Sequence, residues 1–122
     1  MSVQTCTIAI IDDDPRVLES LANLLSSFGY SAQTYKSAEQ FLKSGTLSRT
    51  SCIITDVEMR QMSGLDLLQI LKNNNCAVPV IIITGKPSER SEAFYLEHGA
   101  VGFFRKPVDG EVLVELIGSV CV

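Results

Sequence analysis

Polar residues that could act together in one reaction follow four separate apolar runs of this sequence. Three aspartates, residues 12–14, come directly after "TIAII", and Asp56 follows "CIIT". Thr84 closes the run "VIIIT", and Lys106 comes shortly after "GFF". Clustered carboxylates repel one another, so one of them must take up a proton or a cation must join them. The pattern therefore indicates a charged site rather than a set of unrelated loops.

The chemistry that suits these side chains is phosphoryl transfer. Carboxylate oxygens bind hard cations, and Mg²⁺ in particular takes few protein ligands and prefers phosphate oxygens as further partners. A lysine and a hydroxyl can stabilise a transferring phosphoryl group, and a remaining carboxylate can be its nucleophile. Each residue alone also has an ordinary structural interpretation: Asp14 is a typical helix N-cap, and Thr84 with Gly85 is a common strand ending.

Five short β-type runs alternate with helical patterns along the chain. In the first helical pattern, apolar residues from Val17 to Phe28 recur three or four apart on one face, and Pro15 suits its first turn. Ser37 and Gln40 form a candidate capping box for a second, short helix. The runs are residues 7–11, 31–35, 52–55, 80–84 and 102–104, and further helical patterns cover residues 65–71, 88–98 and 112–120.

This alternation predicts a parallel sheet with helices on both faces. In such sheets, ligands bind beyond the carboxyl ends of the strands, at the point where the strand order reverses. The aspartates, the threonine and the lysine all follow strands directly or closely, so we expect them to lie at one edge of the sheet.

The composition is that of a single globular domain, residues 1–122, with 46% hydrophobic and 20% charged residues. No apolar run approaches the roughly 20 residues that cross a bilayer, and the N-terminus does not look like a secretory signal. We therefore expect a cytoplasmic protein with no membrane association. A net charge of −4 and a pI of about 4.9 argue against direct nucleic-acid binding by this domain.

The four cysteines fit a reducing compartment and are expected as free thiols. None forms a CxxC pair, and the single histidine has no cysteine near it in the sequence, so a zinc site has little support. Cys6 and Cys52 lie among strand-like residues and are expected as small core side chains.

The motifs together resemble the receiver domain of two-component response regulators, over essentially the whole chain. The match is carried by "IIDDDP", "IITDVEM", "MSGLDLL", "IIITG" and "FFRKP", in this order and at the spacings of the family. It is most similar to the subgroup often linked to helix-turn-helix output domains. The resemblance implies a flavodoxin-like (βα)₅ fold, doubly wound, with strand order 2-1-3-4-5.

The resemblance also implies a role for each site residue. Asp56 accepts the phosphoryl group, and Asp12 and Asp13 hold Mg²⁺ (or Mn²⁺) together with Asp56 and the backbone carbonyl of Glu58. Thr84 and Lys106 bind the phosphoryl oxygens, the Lys106–Pro107 bond is cis, and Phe103 is the aromatic residue that turns inward when the threonine moves.

The family's partners follow in the same way. A sensor histidine kinase donates the phosphoryl group, and the domain is a signalling phosphoacceptor with intrinsic self-phosphorylation and autodephosphorylation rather than a metabolic enzyme. An output domain in a longer parent chain fits the subgroup. If phosphorylation drives homodimerisation, the candidate surface is formed by residues 88–120.

The chain departs from the family pattern close to the phosphoacceptor. Arg60 replaces the usual proline, so we expect a more mobile loop and a cation near the acids, although a solvent-facing arginine is the simpler interpretation. Glu58 and Lys86 flank the path of the hydrolytic water in the family. We hypothesise that they pair and alter the lifetime of the phosphorylated form; otherwise they are exposed charges of little consequence.

Three other functions share parts of this pattern. A flavodoxin would bind FMN, but it needs a hydroxyl- or glycine-rich cradle where this chain has three aspartates. A phosphohydrolase with an aspartyl-phosphate intermediate has its nucleophile after the first strand and usually carries a cap domain. A degenerate receiver would act only as a protein-interaction module, and the altered loop at Arg60 keeps that alternative open.

Overall fold

The five β-type runs of the sequence form one parallel sheet in the order β2-β1-β3-β4-β5. The computed structural model describes residues 6–85 and 91–121. The predicted fold class and strand order are confirmed. The strands are β1 (Thr7–Ile11), β2 (Ser31–Tyr35), β3 (Cys52–Asp56), β4 (Val80–Thr84) and β5 (Gly102–Arg105).

Helices connect the strands and begin at side-chain caps. Asp14 caps the first helix by accepting a hydrogen bond from the Arg16 amide at 2.9 Å, as its position before Pro15 suggested. Ser37 accepts from the Gln40 amide, but the Gln40 side chain accepts from Lys36 rather than from Ser37, so only half of the predicted capping box forms. The helices are α1 (Pro15–Ser27), α2 (Ala38–Lys43), α3 (Gly64–Asn73), α4 (Glu92–Glu97) and α5 (Gly110–Val120), with a 3₁₀ turn at Leu47–Arg49.

Two apolar layers hold the sheet between its helices. On one face, Phe41 and Leu67 belong to a core cluster with Ile53 and Ile82, and both helical residues are completely buried. On the other face, a second cluster unites residues of α1 and α5 with alternate residues of the same strands. The central strands are covered on both sides, which explains why they read as continuous isoleucine-rich runs rather than as alternating patterns.

Three sequence predictions about the helices need correction. Phe28 and Val112, both counted in apolar stripes, are 55% and 49% exposed. Phe28 is the C-cap of α1, where the chain leaves the helix, and so it no longer follows the helical face. The helix predicted from residue 88 begins after Ser91, whose backbone is extended and whose side chain caps the Phe94 amide. The earlier part of that prediction lies outside the described residues.

The expectation of four free thiols is wrong for two of them. Cys6, just before β1, and Cys121, just after α5, form a disulfide across a sequence separation of 115 residues. Cys6 is partly rather than fully buried, whereas Cys52 is a core side chain as expected. The sequence could not reveal the pair because the two ends of the chain meet only after the sheet and α5 have formed.

Within residues 6–85 and 91–121, no helix is both long enough and apolar enough to cross a membrane. The longest, α1, has 13 residues, well short of the roughly 20 that a bilayer requires.

Candidate functional site

The strand order reverses between β1 and β3, and both strands end there in aspartates. From β1 the chain first adds β2 on one side of β1 and then crosses over to add β3 on its other side. The carboxyl ends of β1 and β3 therefore flank the topological switch point. Asp12 follows β1 directly, and Asp56 is the last residue of β3, one residue later than the predicted strand end. Because parallel strands end at the same edge, the two carboxylates are brought together.

Three carboxylates converge at this edge. Asp12, Asp13 and Asp56 each offer an oxygen atom, and these three atoms lie within 4.8 Å of one another. Asp12 is completely buried and Asp56 is 7% exposed, whereas Asp13 is exposed to solvent. Backbone amides orient the buried pair: the Asp14 amide donates to Asp12 Oδ1 at 2.9 Å, and the Glu58 amide donates to Asp56 Oδ1 at 3.2 Å.

Lys106 reaches both buried carboxylates from the end of β5. Its Nζ lies 2.9 Å from Asp12 Oδ2 and 3.3 Å from Asp56 Oδ2. The Lys106 amide donates to the Thr84 carbonyl at 2.8 Å, and the peptide bond to Pro107 is cis, as the resemblance implied. One ammonium group therefore bridges the ends of β1 and β3.

The charges at this edge are not fully balanced. Burial raises the pKa of Asp56, and the neighbouring Asp12 charge raises it further, against the opposing effects of Lys106 and the Glu58 amide. Burial alone would lower the pKa of Lys106, but its hydrogen bonds and charge contacts with Asp12 and Asp56 outweigh this and raise it. The lysine therefore stays charged, while the ionised form of Asp56 costs the folded state free energy.

Thr84 lies on the strand next to Asp56, and Phe103 lies one strand further out. Thr84 ends β4 and is 2% exposed, one residue beyond Ile83, which pairs with Asp56 across the sheet. Phe103 of β5 is partly buried and stacks on Tyr95 of α4, with ring centroids 5.5 Å apart. Phe103 therefore joins β5 to α4 by an aromatic contact.

The donor set fits a hard divalent cation. All three candidate ligands are carboxylates, two of them are buried, and the described residues contribute only Lys106 as a cation in contact with the buried pair. Oxygen ligands with an open, solvent-facing side suit Mg²⁺, which keeps water or phosphate oxygens in its remaining positions. The Glu58 carbonyl as a further ligand stays a prediction.

Two charged residues of the β3–α3 loop, Glu58 and Arg60, were predicted to influence the site. Glu58 and Arg60 have exposed side chains, and exposure of Arg60 agrees with its simpler, solvent-facing interpretation. Lys86 lies outside the described residues, so the hypothesis of a Glu58–Lys86 pair stays a prediction.

Sequence reasoning missed Gly64, which closes the loop back onto Asp56. The Gly64 amide donates to the Val57 carbonyl at 3.0 Å, and a Cβ at position 64 would lie 2.7 Å from the backbone oxygen of Asp56. Ser63 and Asp66 form a complete capping box beside it. The signal was present in the sequence, since "SGLD" is a box pattern at the start of an apolar stripe.

Comparison with known proteins identifies the family. A flavodoxin-like parallel sheet with carboxylates clustered where the strand order reverses defines the broad class. Residues 8–118 match the response regulator receiver domain. The response regulator TodT of Pseudomonas putida is 39% identical over 98% of this chain, and FixJ of Rhizobium meliloti is 35% identical over 91%. The crystal structure of FixJ-N superposes with a TM-score of 0.85 at 32% identity, covering 98% of this chain and 95% of the other.

The chain belongs to the response regulator receiver domain family, and it is a signalling domain of two-component systems. It spans about half the length of the curated relatives that it matches, 52% of TodT and 54% of FixJ. This agrees with the predicted similarity to receivers that are linked to output domains. Receiver domains generally bind Mg²⁺ at their acidic pocket, and the aspartate cluster described above corresponds to such a pocket.

Replacing Gly64 with alanine should destabilise the domain by about 1–3 kcal/mol, because the new methyl group meets backbone atoms that cannot move aside without shifting β3. Urea denaturation would measure the change. Gly118→Ala is the matched control, since a Cβ there meets only the Tyr30 hydroxyl at 3.6 Å. That control should stabilise α5 by up to about 1 kcal/mol. A Gly64→Ala midpoint at or above wild type would contradict the close approach.

Asp56→Asn should raise the melting temperature in metal-free buffer at pH 7.5, by roughly 2–6 °C. The folded-state pKa of Asp56 lies above the usual 3.8, so ionisation costs stability as the pH rises from that value through the raised one. The gap between mutant and wild type should therefore shrink as the pH falls toward 3.8.

Asp109→Asn is the control for this melting experiment. Asp109 is an exposed N-cap of α5, and asparagine caps a helix about equally well, so its melting temperature should stay near wild type. An Asp56→Asn protein that melts below wild type at pH 7.5 would show that the Lys106 contact outweighs the burial of charge.

Proposed function

We propose that this domain, spanning residues 1–122, accepts a phosphoryl group from a sensor histidine kinase onto Asp56 and thereby switches a partner or output surface. The observation that carries the proposal is the contact of one lysine with two buried carboxylates at the switch point of the sheet. Burying two carboxylates against a single cation is costly, and groups perturbed in this way concentrate at functional sites.

The transfer requires little of the protein beyond position and charge. A carboxylate oxygen of Asp56 attacks phosphorus, the bond from phosphorus to the donor imidazole nitrogen breaks, and that nitrogen keeps the electron pair and is protonated. Lys106 can then turn from the carboxylate to a phosphoryl oxygen, since its Nζ lies only 3.3 Å from Asp56 Oδ2. Asp12 keeps the ammonium group in place throughout.

Asp12, Asp13 and Asp56 would hold Mg²⁺ or Mn²⁺, which supplies positive charge to the carboxylates and to the transferring phosphoryl group. The same arrangement would allow self-phosphorylation by small phosphodonors and slow autodephosphorylation. Besides Asp56 and the cation, both activities need a pocket that is open to solvent, and the side chain of Asp13 is exposed.

The switch would run through Thr84 and Phe103. The buried hydroxyl of Thr84 is one residue beyond the strand partner of Asp56, close enough for a small movement to bring it to a phosphoryl oxygen. Movement of the Thr84 side chain would leave space into which Phe103 could turn. Phe103 stacks on Tyr95 of α4, which is 2% exposed. Because α4 has only six residues, it can follow such a movement at low cost.

The partner surfaces follow from what is exposed near α4 and β5. Leu96 and Val101 are 41% and 39% exposed, and both belong to the 88–120 region, the candidate surface for a phosphorylation-dependent homodimer. The relatives named above are a response regulator and a transcriptional regulator of about twice this length, which supports an output domain in a longer parent chain. We place the domain in the cytoplasm, where histidine kinases present their phosphoryl group, with no direct nucleic-acid binding of its own.

Incubation with Mg²⁺ and acetyl phosphate should add one phosphoryl group to the wild-type protein, as measured by intact mass spectrometry. The adduct should need Mg²⁺ and vanish in Asp56→Asn, and Asp13→Asn should lower its yield by about tenfold or more, as expected for loss of a group that holds the cation. Asp109→Asn is the matched control and should be phosphorylated like wild type, since its carboxylate caps α5.

Absence of an adduct in the wild type would support the degenerate receiver, which acts only by binding other proteins. An adduct that persists in Asp56→Asn would assign the phosphoacceptor to another residue.

Phosphorylated wild-type protein should elute as a dimer in size-exclusion chromatography, and Leu96→Asp or Val101→Asp should remain monomeric while still accepting the phosphoryl group. A charge in a newly buried apolar contact opposes association. Phe28→Asp is the control, because Phe28 is an exposed apolar residue at the end of α1 and lies outside residues 88–120. Loss of the dimer in Phe28→Asp alone would move the interface to α1.

A further inference from the structure

The disulfide between Cys6 and Cys121 fastens the beginning of the sheet to the end of the last helix. Cys6 directly precedes β1, and Cys121 is the C-cap of α5, with their Cα atoms 6.2 Å apart. That separation is within the usual range for bonded cysteines. The bond lies at the amino end of β1, whereas the aspartates lie at its carboxyl end, roughly 16 Å away for a strand of five residues.

Backbone contacts hold both cysteines in place independently of the bond. The Cys6 carbonyl accepts from the Ser31 amide at 3.2 Å, which ties it to β2, and the Cys121 amide donates to the Ile117 carbonyl at 2.8 Å. Both side chains also pack against the core cluster between the sheet, α1 and α5. Breaking the bond would therefore leave the two sulfur atoms close together.

The two residues also lie close together beside the bond itself. Cys6 Sγ lies 3.4 Å from the Cys121 carbonyl oxygen, a distance at which a Cys6 thiol can donate a weak hydrogen bond. A reduced Cys6 would therefore find an acceptor at this position.

Access distinguishes this pair from the remaining thiols. Cys6 and Cys121 are both partly exposed, whereas Cys52 is buried and burial raises the pKa of its thiol to about 12. A thiol with so high a pKa carries almost no reactive thiolate. Cys76 is partly exposed, but it borders a separate cleft between α3 and α4.

We propose that Cys6 and Cys121 form a reversible thiol–disulfide site, oxidised by low-molecular-weight disulfides such as oxidised glutathione and reduced by dithiols. One cysteine thiolate attacks a sulfur of oxidised glutathione, whose S–S bond breaks to release one glutathione thiolate. The second cysteine attacks the protein sulfur of the mixed disulfide and releases the other. The two cysteine protons end on two glutathione molecules, which gain the electrons that the cysteines lose.

The consequence is a redox-dependent fastening of α5 to the sheet that does not rest on the phosphoacceptor role. The bond closes a loop of almost the whole domain, so it removes a large share of the unfolded chain's freedom. Oxidation should raise the melting temperature by about 10 °C. This shift follows from the stabilisation expected for closing so long a loop, converted with the usual change in melting temperature per kcal/mol.

The test is to equilibrate the folded protein in anaerobic buffers of graded oxidised and reduced glutathione, alkylate its free thiols, and count them by intact mass. Wild type and Cys76→Ser should each lose two alkylated cysteines at the oxidising end and regain both at the reducing end. Cys6→Ser and Cys121→Ser should show no such paired loss, and their melting temperature should be the same in both buffers.

Each of the following results would overturn the proposal. The thiol count of wild type could stay constant at every glutathione ratio, or the paired loss could persist in Cys6→Ser. The bond could also resist reduction in the folded protein, which would make it a permanent structural cross-link. Cys76→Ser guards against a different pairing, since a paired loss that disappears with Cys76 would assign the reaction to that thiol.

Discussion

The contact of Lys106 with Asp12 and Asp56 is the interaction on which the rest of the site depends. Two carboxylates inside the protein with no cation would repel each other and lose their hydration, so at least one of them would have to take up a proton. One ammonium group satisfies the pair only in part, and the raised pKa of Asp56 reflects that shortfall. The pocket therefore carries a deficit of positive charge that a divalent cation can fill.

The backbone around Asp56 is closely packed. Gly64 lies against the carbonyl of Asp56, and the Glu58 amide donates to one Asp56 carboxylate oxygen while Lys106 contacts the other. Two strands away, Phe103 of β5 stacks on Tyr95 and so joins the sheet to α4.

The carboxyl and amino ends of the strands hold different groups of residues. Its carboxyl edge holds the acids and the lysine, while its amino edge holds Cys6 and, beside it, the end of α5 at Cys121. Parallel strands separate these edges by the full length of a strand, so that chemistry at one edge need not disturb the other. The fold can therefore hold the acidic pocket and the cysteine pair at the same time without direct contact between them.

The strands, the parallel sheet and the residues of the pocket could be predicted from the sequence, because isoleucine-rich runs and the polar residues that follow them are local signals. Helix ends were less certain: Phe28 and Val112 follow the apolar period yet face solvent, since periodicity cannot show what a helix packs against. The contacts between atoms depend on the fold. The bridging of two acids by Lys106 and the pairing of Cys6 with Cys121 join residues distant in the chain. Their proximity arises from the crossovers of the sheet, and no local pattern records it.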